Sequence, residues 1–135
     1  MTEVFADTSY YVALLNPADA FHAAALRATD ALTGPMVTTE WVLTELGNYL
    51  NDPSNRPLFV ETLAQLREDR GAHIVHAEHR LFDAGVRLFG QRPDKAWSLT
   101  DCISFVGMSE RGIRDALTTD RHFEQAQYRC LLRAS

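Results

Sequence analysis

The chain carries a single lysine, Lys95, against twelve arginines, and only two cysteines in 135 residues. Cys102 and Cys130 form no CxxC pair and lie far apart, which argues against a disulfide framework and for buried thiols in a reducing compartment. Cys102 has no histidine partner at motif spacing, so a thiol nucleophile is set aside. No apolar run reaches the length of a membrane span. The opening Met1 Thr2 Glu3 lacks the basic flank and apolar segment of a secretion signal, so a cytoplasmic protein is expected. Neither GxxxxGK[ST] nor GxGxxG occurs, which removes the usual nucleotide-binding loops. Positive charge is also short, the net charge being -5. That argues at first against a nucleic-acid partner. Distribution matters more than the sum, because arginine's planar fork suits phosphate and the acids can be concentrated in one pocket.

Hydrophobic residues make up 46% of the chain, enough at this length for one domain spanning 1–135 that buries about two thirds of its unfolded surface. Val4 to Ala6 reads as a strand running straight into the helical segment Tyr10–Leu15. Asn16 Pro17 interrupts, and Asp19–Leu32 is a second helix. Gly34 Pro35 turns the chain into a strand at 36–38, followed by a helix over 39–50 that ends at Asn51 Asp52 Pro53. A helix around Leu58, Val60, Leu63 and Leu66 precedes a strand at 73–75 and a helix over 78–89. A polar loop, Gly90–Lys95, leads to a helix over 98–111, a strand over 115–119, a short helix over 121–126 and a last strand over 128–132. This alternation predicts an α/β fold, a three-layer sandwich with a central parallel sheet covered by helices on both faces. Strand order does not follow from it.

Four acids stand out. Asp7 closes the first strand, and in an open parallel sheet ligands gather at the carboxyl ends of strands. Glu45 shares a helix face with Trp41, Val42 and Tyr49, where a buried carboxylate needs a cation or a donor; the plain alternative is an acid at the edge of that stripe reaching solvent. Glu40, in the first turn, is explained by the helix dipole. Asp101 follows Ser98 by three, as in a capping box, which does not exclude ligation because a carboxylate has two oxygens. Asp120 repeats the arrangement of Asp7 at the end of a later strand, and each alone is equally explained as a helix cap.

Gathered without a counterion, four carboxylates repel; two charges ~4 Å apart cost about 4 kcal/mol at an effective dielectric near 20. A hard divalent cation resolves this, and an all-oxygen set favours Mg²⁺ or Mn²⁺ over Zn²⁺. Such an ion equips a site for phosphodiester hydrolysis. The hydroxyls of Thr8, Ser9 and Thr119 fit either an outer shell around it or helix caps. His73, His76 and His79 straddle a strand-to-helix passage at spacings that do not share one face, so zinc is not expected there. A structural or solvated role suits His22.

Four strings resemble the acidic motifs of PIN domains, in particular VapC-type toxins: Phe5 Ala6 Asp7 Thr8 Ser9 Tyr10; Trp41 Val42 Leu43 Thr44 Glu45 Leu46; Trp97 Ser98 Leu99 Thr100 Asp101 Cys102; and Ala116 Leu117 Thr118 Thr119 Asp120 Arg121 His122 Phe123. The resemblance spans essentially the whole chain. It implies a Mg²⁺- or Mn²⁺-dependent endoribonuclease with Asp7, Glu45, Asp101 and Asp120 as the catalytic and metal-holding acids. It also implies an RNA substrate, a homodimer and a VapB-like antitoxin whose arginine forks onto the carboxylates. Asp7, Asp101 and Asp120 would be the principal ligands, with Glu45 binding a second ion, ligating through water or orienting the nucleophile. One departure is Ala126 Gln127 Tyr128, where the family often has a glycine before the aromatic residue. Arg121, Arg92, Lys95 and Arg56 are candidate phosphate contacts. Two rivals are a catalytically silent PIN-like binding module and a phosphorelay receiver, whose pattern calls for adjacent early acids and a late lysine.

Overall fold

The computed structural model describes residues 2–133. Its elements run β1 (Val4–Ala6), α1 (Thr8–Leu15), α2 (His22–Asp30), β2 (Met36–Thr39), α3 (Glu40–Tyr49), α4 (Arg56–Glu68), β3 (Ala72–Val75), α5 (His79–Gln91), α6 (Leu99–Arg111), β4 (Asp115–Leu117), α7 (Arg121–Gln125) and β5 (Arg129–Cys130). All strand pairs are parallel, and the sheet order is β3-β2-β1-β4-β5. Central β1 pairs with both β2 and β4, Val4 lying opposite Met36 on one side and Asp115 on the other. Right-handed crossovers then place α1 to α4 on one face of the sheet and α5 to α7 on the other, a three-layer sandwich. Connections leave β1 toward one edge and return to β4 toward the opposite edge, so the topology reverses between β1 and β4. Open sheets bind ligands at such a point, outside the strands' carboxyl ends. The order also differs from the 2-1-3-4-5 sheet of receiver domains, which removes that rival.

Element ends depart from the sequence reading for identifiable reasons. Thr118 and Thr119 do not extend β4, because the Thr119 N–H donates to Ser9 Oγ at 2.9 Å and not to a strand. The second helix starts at His22, later than Asp19, since Asp19 Oδ1 accepts the Phe21 N–H at 2.8 Å and forms a turn. The last strand shortens to Arg129–Cys130 at the sheet edge. His22 Nδ1 lies 2.8 Å from the Ala13 carbonyl, a structural role.

The core holds Phe5, Tyr10, Tyr11, Val42, Leu46, Phe105, Met108, Leu117 and Phe123, with Cys102 and Cys130 buried as free thiols. Phe105 packs edge-on against both Trp97 and Phe123, at ring separations of 5.0 and 4.9 Å, and Phe123 stacks on Phe5 of β1 at 6.3 Å. Each such pair contributes ~1 kcal/mol beyond burial. Together they fix α6, α7 and the 97 loop against the central strand. Helices α5 and α6 approach closely where α5 has glycine: a Cβ on Gly85 would lie 2.3 Å from Ile103 Cγ1. No helix among the described residues is long and apolar enough to cross a membrane.

Candidate active site

Asp7 occupies the single residue between β1 and α1, in extended backbone, and caps the helix. Its Oδ2 accepts from the Ser9 and Thr118 hydroxyls, each at 2.9 Å, and weakly from the Ser9 N–H at 3.4 Å. The same two hydroxyl oxygens accept the N–H groups of Thr119 and Asp120. The carboxyl ends of β1 and β4 are thereby stitched together. Asp7 is only 5% exposed. Burial pushes the Asp7 carboxyl up to about 6, against the pull of the two hydroxyls, with a further push from the charge of Asp101.

Glu45 reaches the same place from α3, whose start is fixed by the Thr39 hydroxyl accepting the Val42 N–H at 3.1 Å. The donor that a half-buried carboxylate requires is Thr8, whose hydroxyl binds Glu45 Oε1 at 2.6 Å. Glu40 turns elsewhere, accepting the Ala77 N–H.

Asp101 is both cap and site residue. Its N–H donates to Ser98 Oγ at 3.0 Å and its Oδ2 accepts the Ser98 N–H at 3.1 Å, a complete capping box. Oδ2 also lies 2.9 Å from His122 Nδ1. Burial raises the Asp101 carboxyl, His122 and the Ser98 N–H oppose this, and the charge of Asp120 adds to the rise. Asp120 caps α7, its Oδ1 accepting the His122 N–H at 2.9 Å with the imidazole Nδ1 at 3.4 Å.

A cavity of about 450 Å³ unites these groups: Asp7, Glu45, Asp101 and Asp120 all line it, with Thr8, Ser9 and Thr119 on its wall. All four acids singled out in the sequence are therefore brought together, from four separate elements. Four lining or supporting residues were missed, namely His122, Thr118, Asp19 and Val12. His122 stands two residues after a helix-capping acid, and helical side chains lean toward the N-terminus, a signal that would have pointed it at Asp120. It also sets a nitrogen beside the acids: Asp101, Asp120 and His122 each offer an atom within 4.8 Å of the others that could hold an ion.

None of the four candidate phosphate contacts lines this cavity. Arg121 is exposed beside Asp120. Arg92 and Lys95 line a neighbouring cavity, and Arg56 donates to the Asn51 carbonyl at 2.8 Å. The three spaced histidines form no metal cluster among the described residues; His76 lies 3.6 Å from Glu40 and His79 3.2 Å from Asp83.

The residues fit a divalent cation, because carboxylates that raise one another's proton affinity converge on one basin. No family model matches the chain. It is similar to the 23S rRNA-specific endonuclease VapC20 of Mycobacterium tuberculosis, at 27% identity over 125 residues, which is 93% of this chain and 95% of that protein, in two strains. The crystal structure of VapC20, a sarcin-ricin loop cleaving toxin, superposes with a TM-score of 0.85 at 26% identity, covering 93% and 95% of the two chains. The chain thus resembles VapC-type PIN-domain proteins in both sequence and fold. FitAcB from Neisseria gonorrhoeae shares the fold, with a TM-score of 0.70 at 15% identity over 94% of this chain and 95% of its own. In this domain the reversal of topology between β1 and β4 is what sets Asp7 and Asp120 side by side.

Proposed function

We propose that the protein is a metal-dependent endoribonuclease and the toxin of a toxin-antitoxin pair, acting on 23S ribosomal RNA at the sarcin-ricin loop as its relative VapC20 does. The observation that carries this reading is the convergence of Asp7, Glu45, Asp101 and Asp120 on one cavity at the sheet's switch point. Asp7, Asp101 and Asp120 would hold the cation, with Glu45 beside them. When bound, a divalent ion supplies charge neutralisation at the phosphate and lowers the pKa of water.

The chain's own residues supply the rest. Ser9 and Thr118 hold one oxygen of Asp7, which lines the cavity. The capping box and His122 fix Asp101, and Thr8 fixes Glu45, so the carboxylates need little reorganisation to receive an ion. An imidazole in the donor set suits a transition-metal ion better than Mg²⁺, which favours Mn²⁺ of the two. Five acids line the cavity, Asp7, Asp19, Glu45, Asp101 and Asp120, with no lysine or arginine among the lining residues, so RNA must be drawn in by the metal and by cations nearby.

The partners follow from the same surfaces. A basic antitoxin segment would fork a guanidinium onto these carboxylates. A second copy of the chain would cover Phe82, Val86 and Phe89, which are 39%, 41% and 49% exposed at i, i+4 and i+7 on α5. We place this activity in the cytoplasm, where ribosomes are met.

Incubating the purified protein with a sarcin-ricin hairpin RNA and Mn²⁺ tests the reading. Cleavage is expected, abolished by chelator and by Asp101→Asn with the fold retained. Undiminished cleavage by Asp101→Asn would overturn it.

A further inference from the structure

Beside the acidic basin lies a larger cavity of about 660 Å³, between α5, α6 and the α7–β5 turn. The two share a wall. Trp97 lines the larger cavity and its neighbour Ser98 the acidic one; Gln125 lines the larger and His122, one turn earlier on α7, the acidic one. The Trp97 indole N–H donates to Gln125 Oε1 at 3.0 Å, closing the partition.

The charge here contrasts with the chain as a whole. Arg87, Arg92 and Lys95 line this cavity in a protein of net charge -5. Arg87 and Lys95 form no ion pair among the described residues. Arg92 is paired with Asp94 at 3.0 Å and lies over the Trp97 ring at 5.0 Å, which sets its guanidinium on the partition. The one acid in the lining, Glu110, is taken by both nitrogens of Arg80 at 2.7 and 3.1 Å. Net positive charge is therefore left facing the cavity, next to a basin that repels phosphate until a cation enters it.

A subunit partner does not account for this surface. Ala84, Arg87, Leu88 and Gln91 of α5 line the cavity, whereas the exposed apolar stripe Phe82, Val86 and Phe89 lies roughly 180° round the helix at 3.6 residues per turn. A second copy docked on that stripe leaves the cavity open.

We propose that this cavity is a phosphate-binding subsite for the RNA backbone beside the scissile bond, with Arg87 and Lys95 as its free cations and Arg92 at the boundary with the metal-binding basin. The proposal rests on the ribonuclease reading and adds where the strand runs. Phosphate contacts of this kind set affinity and register and carry no sequence information.

The test is binding of the sarcin-ricin hairpin RNA, followed by fluorescence anisotropy in chelator so that nothing is cut, over a range of salt. Arg87→Ala/Lys95→Ala is expected to weaken binding ~10-fold and to lower the slope of log affinity against log salt by about two. Arg87→Lys/Lys95→Arg should restore both. An unchanged slope, or no binding by the parent protein, would overturn the subsite. So would a double variant that loses RNA only because it has lost a subunit partner, seen by sedimentation. A parent that binds with the expected salt slope but fails to cut with Mn²⁺ would remove the hydrolase reading and leave the subsite standing; a parent that cuts while the double variant keeps its slope would do the reverse.

Discussion

Replacing Asp7 by asparagine should make the metal-free protein more stable at neutral pH while destroying its proposed chemistry. Asp7 is almost wholly buried, and its carboxyl is pushed up to about 6 chiefly by loss of water. An unfolded aspartate titrates near ~4. Below about pH 4 both states hold the proton and the group costs nothing. Between about pH 4 and pH 6 the unfolded chain releases its proton while the folded chain keeps it, so stability falls as pH rises, by ~3 kcal/mol once the folded carboxyl has ionised. Asparagine stays neutral throughout, and its amide oxygen can accept the Ser9 and Thr118 hydroxyls that Oδ2 accepts now. In chelator, the variant should match the parent at pH 4 and exceed it by ~2–3 kcal/mol at pH 7.5, read from urea melts at several pH values. Adding Mn²⁺ at pH 7.5 should stabilise the parent alone, because the ion binds only the folded, ionised site. A stability offset that is the same at every pH, or a parent that is the more stable at pH 7.5 in chelator, would refute the reasoning.

Gly85→Ala should lower the melting temperature by ~3–8 °C, since the new Cβ would fall 2.3 Å from Ile103 Cγ1 and 3.1 Å from Ile103 Cα, and overpacking of ~1–3 kcal/mol outweighs the ~1 kcal/mol alanine gains in helix propensity. A calorimetric scan showing no drop would mean that α5 and α6 separate easily. Gln127→Gly should act in the other direction: Gln127 holds φ 76 at the end of α7, where an L side chain costs ~1–2 kcal/mol, partly offset by glycine's freedom in the unfolded chain. A rise of ~2–4 °C with unchanged RNA cleavage is expected, and a fall would show that the glutamine side chain contributes more than its backbone costs.

The fold class was legible because local patterns were strong. Pro and Gly punctuate the segments, and Ser98 with Asp101 marks a helix start that the structure forms as a full capping box. Asp7 and Asp120 were visible as acids at strand ends, and Glu45 as an acid on an apolar face. Their convergence was not visible in spacing alone, because it depends on the order β3-β2-β1-β4-β5, a matter of long-range pairing. Thr118 and His122 were hidden for a related reason. One acts across 111 residues on Asp7 and the other across 21 on Asp101. The glycine missing before Tyr128 was legible as a departure, but only the backbone shows its consequence, a left-handed glutamine with the Tyr128 N–H bonded to the Phe123 carbonyl at 2.9 Å. Arg87 carried no pattern at all, since its role depends on which acids nearby are already paired.

The central claim is that Asp7, Glu45, Asp101 and Asp120 share one divalent cation site, and calorimetric titration of the purified protein with Mn²⁺ at pH 7.5 tests it most directly. Saturable binding is predicted, accompanied by proton release, weaker as the pH falls through 6, and lost in both Asp7→Asn and Asp101→Asn. Binding that survives both substitutions, or no binding by the folded parent, would contradict it.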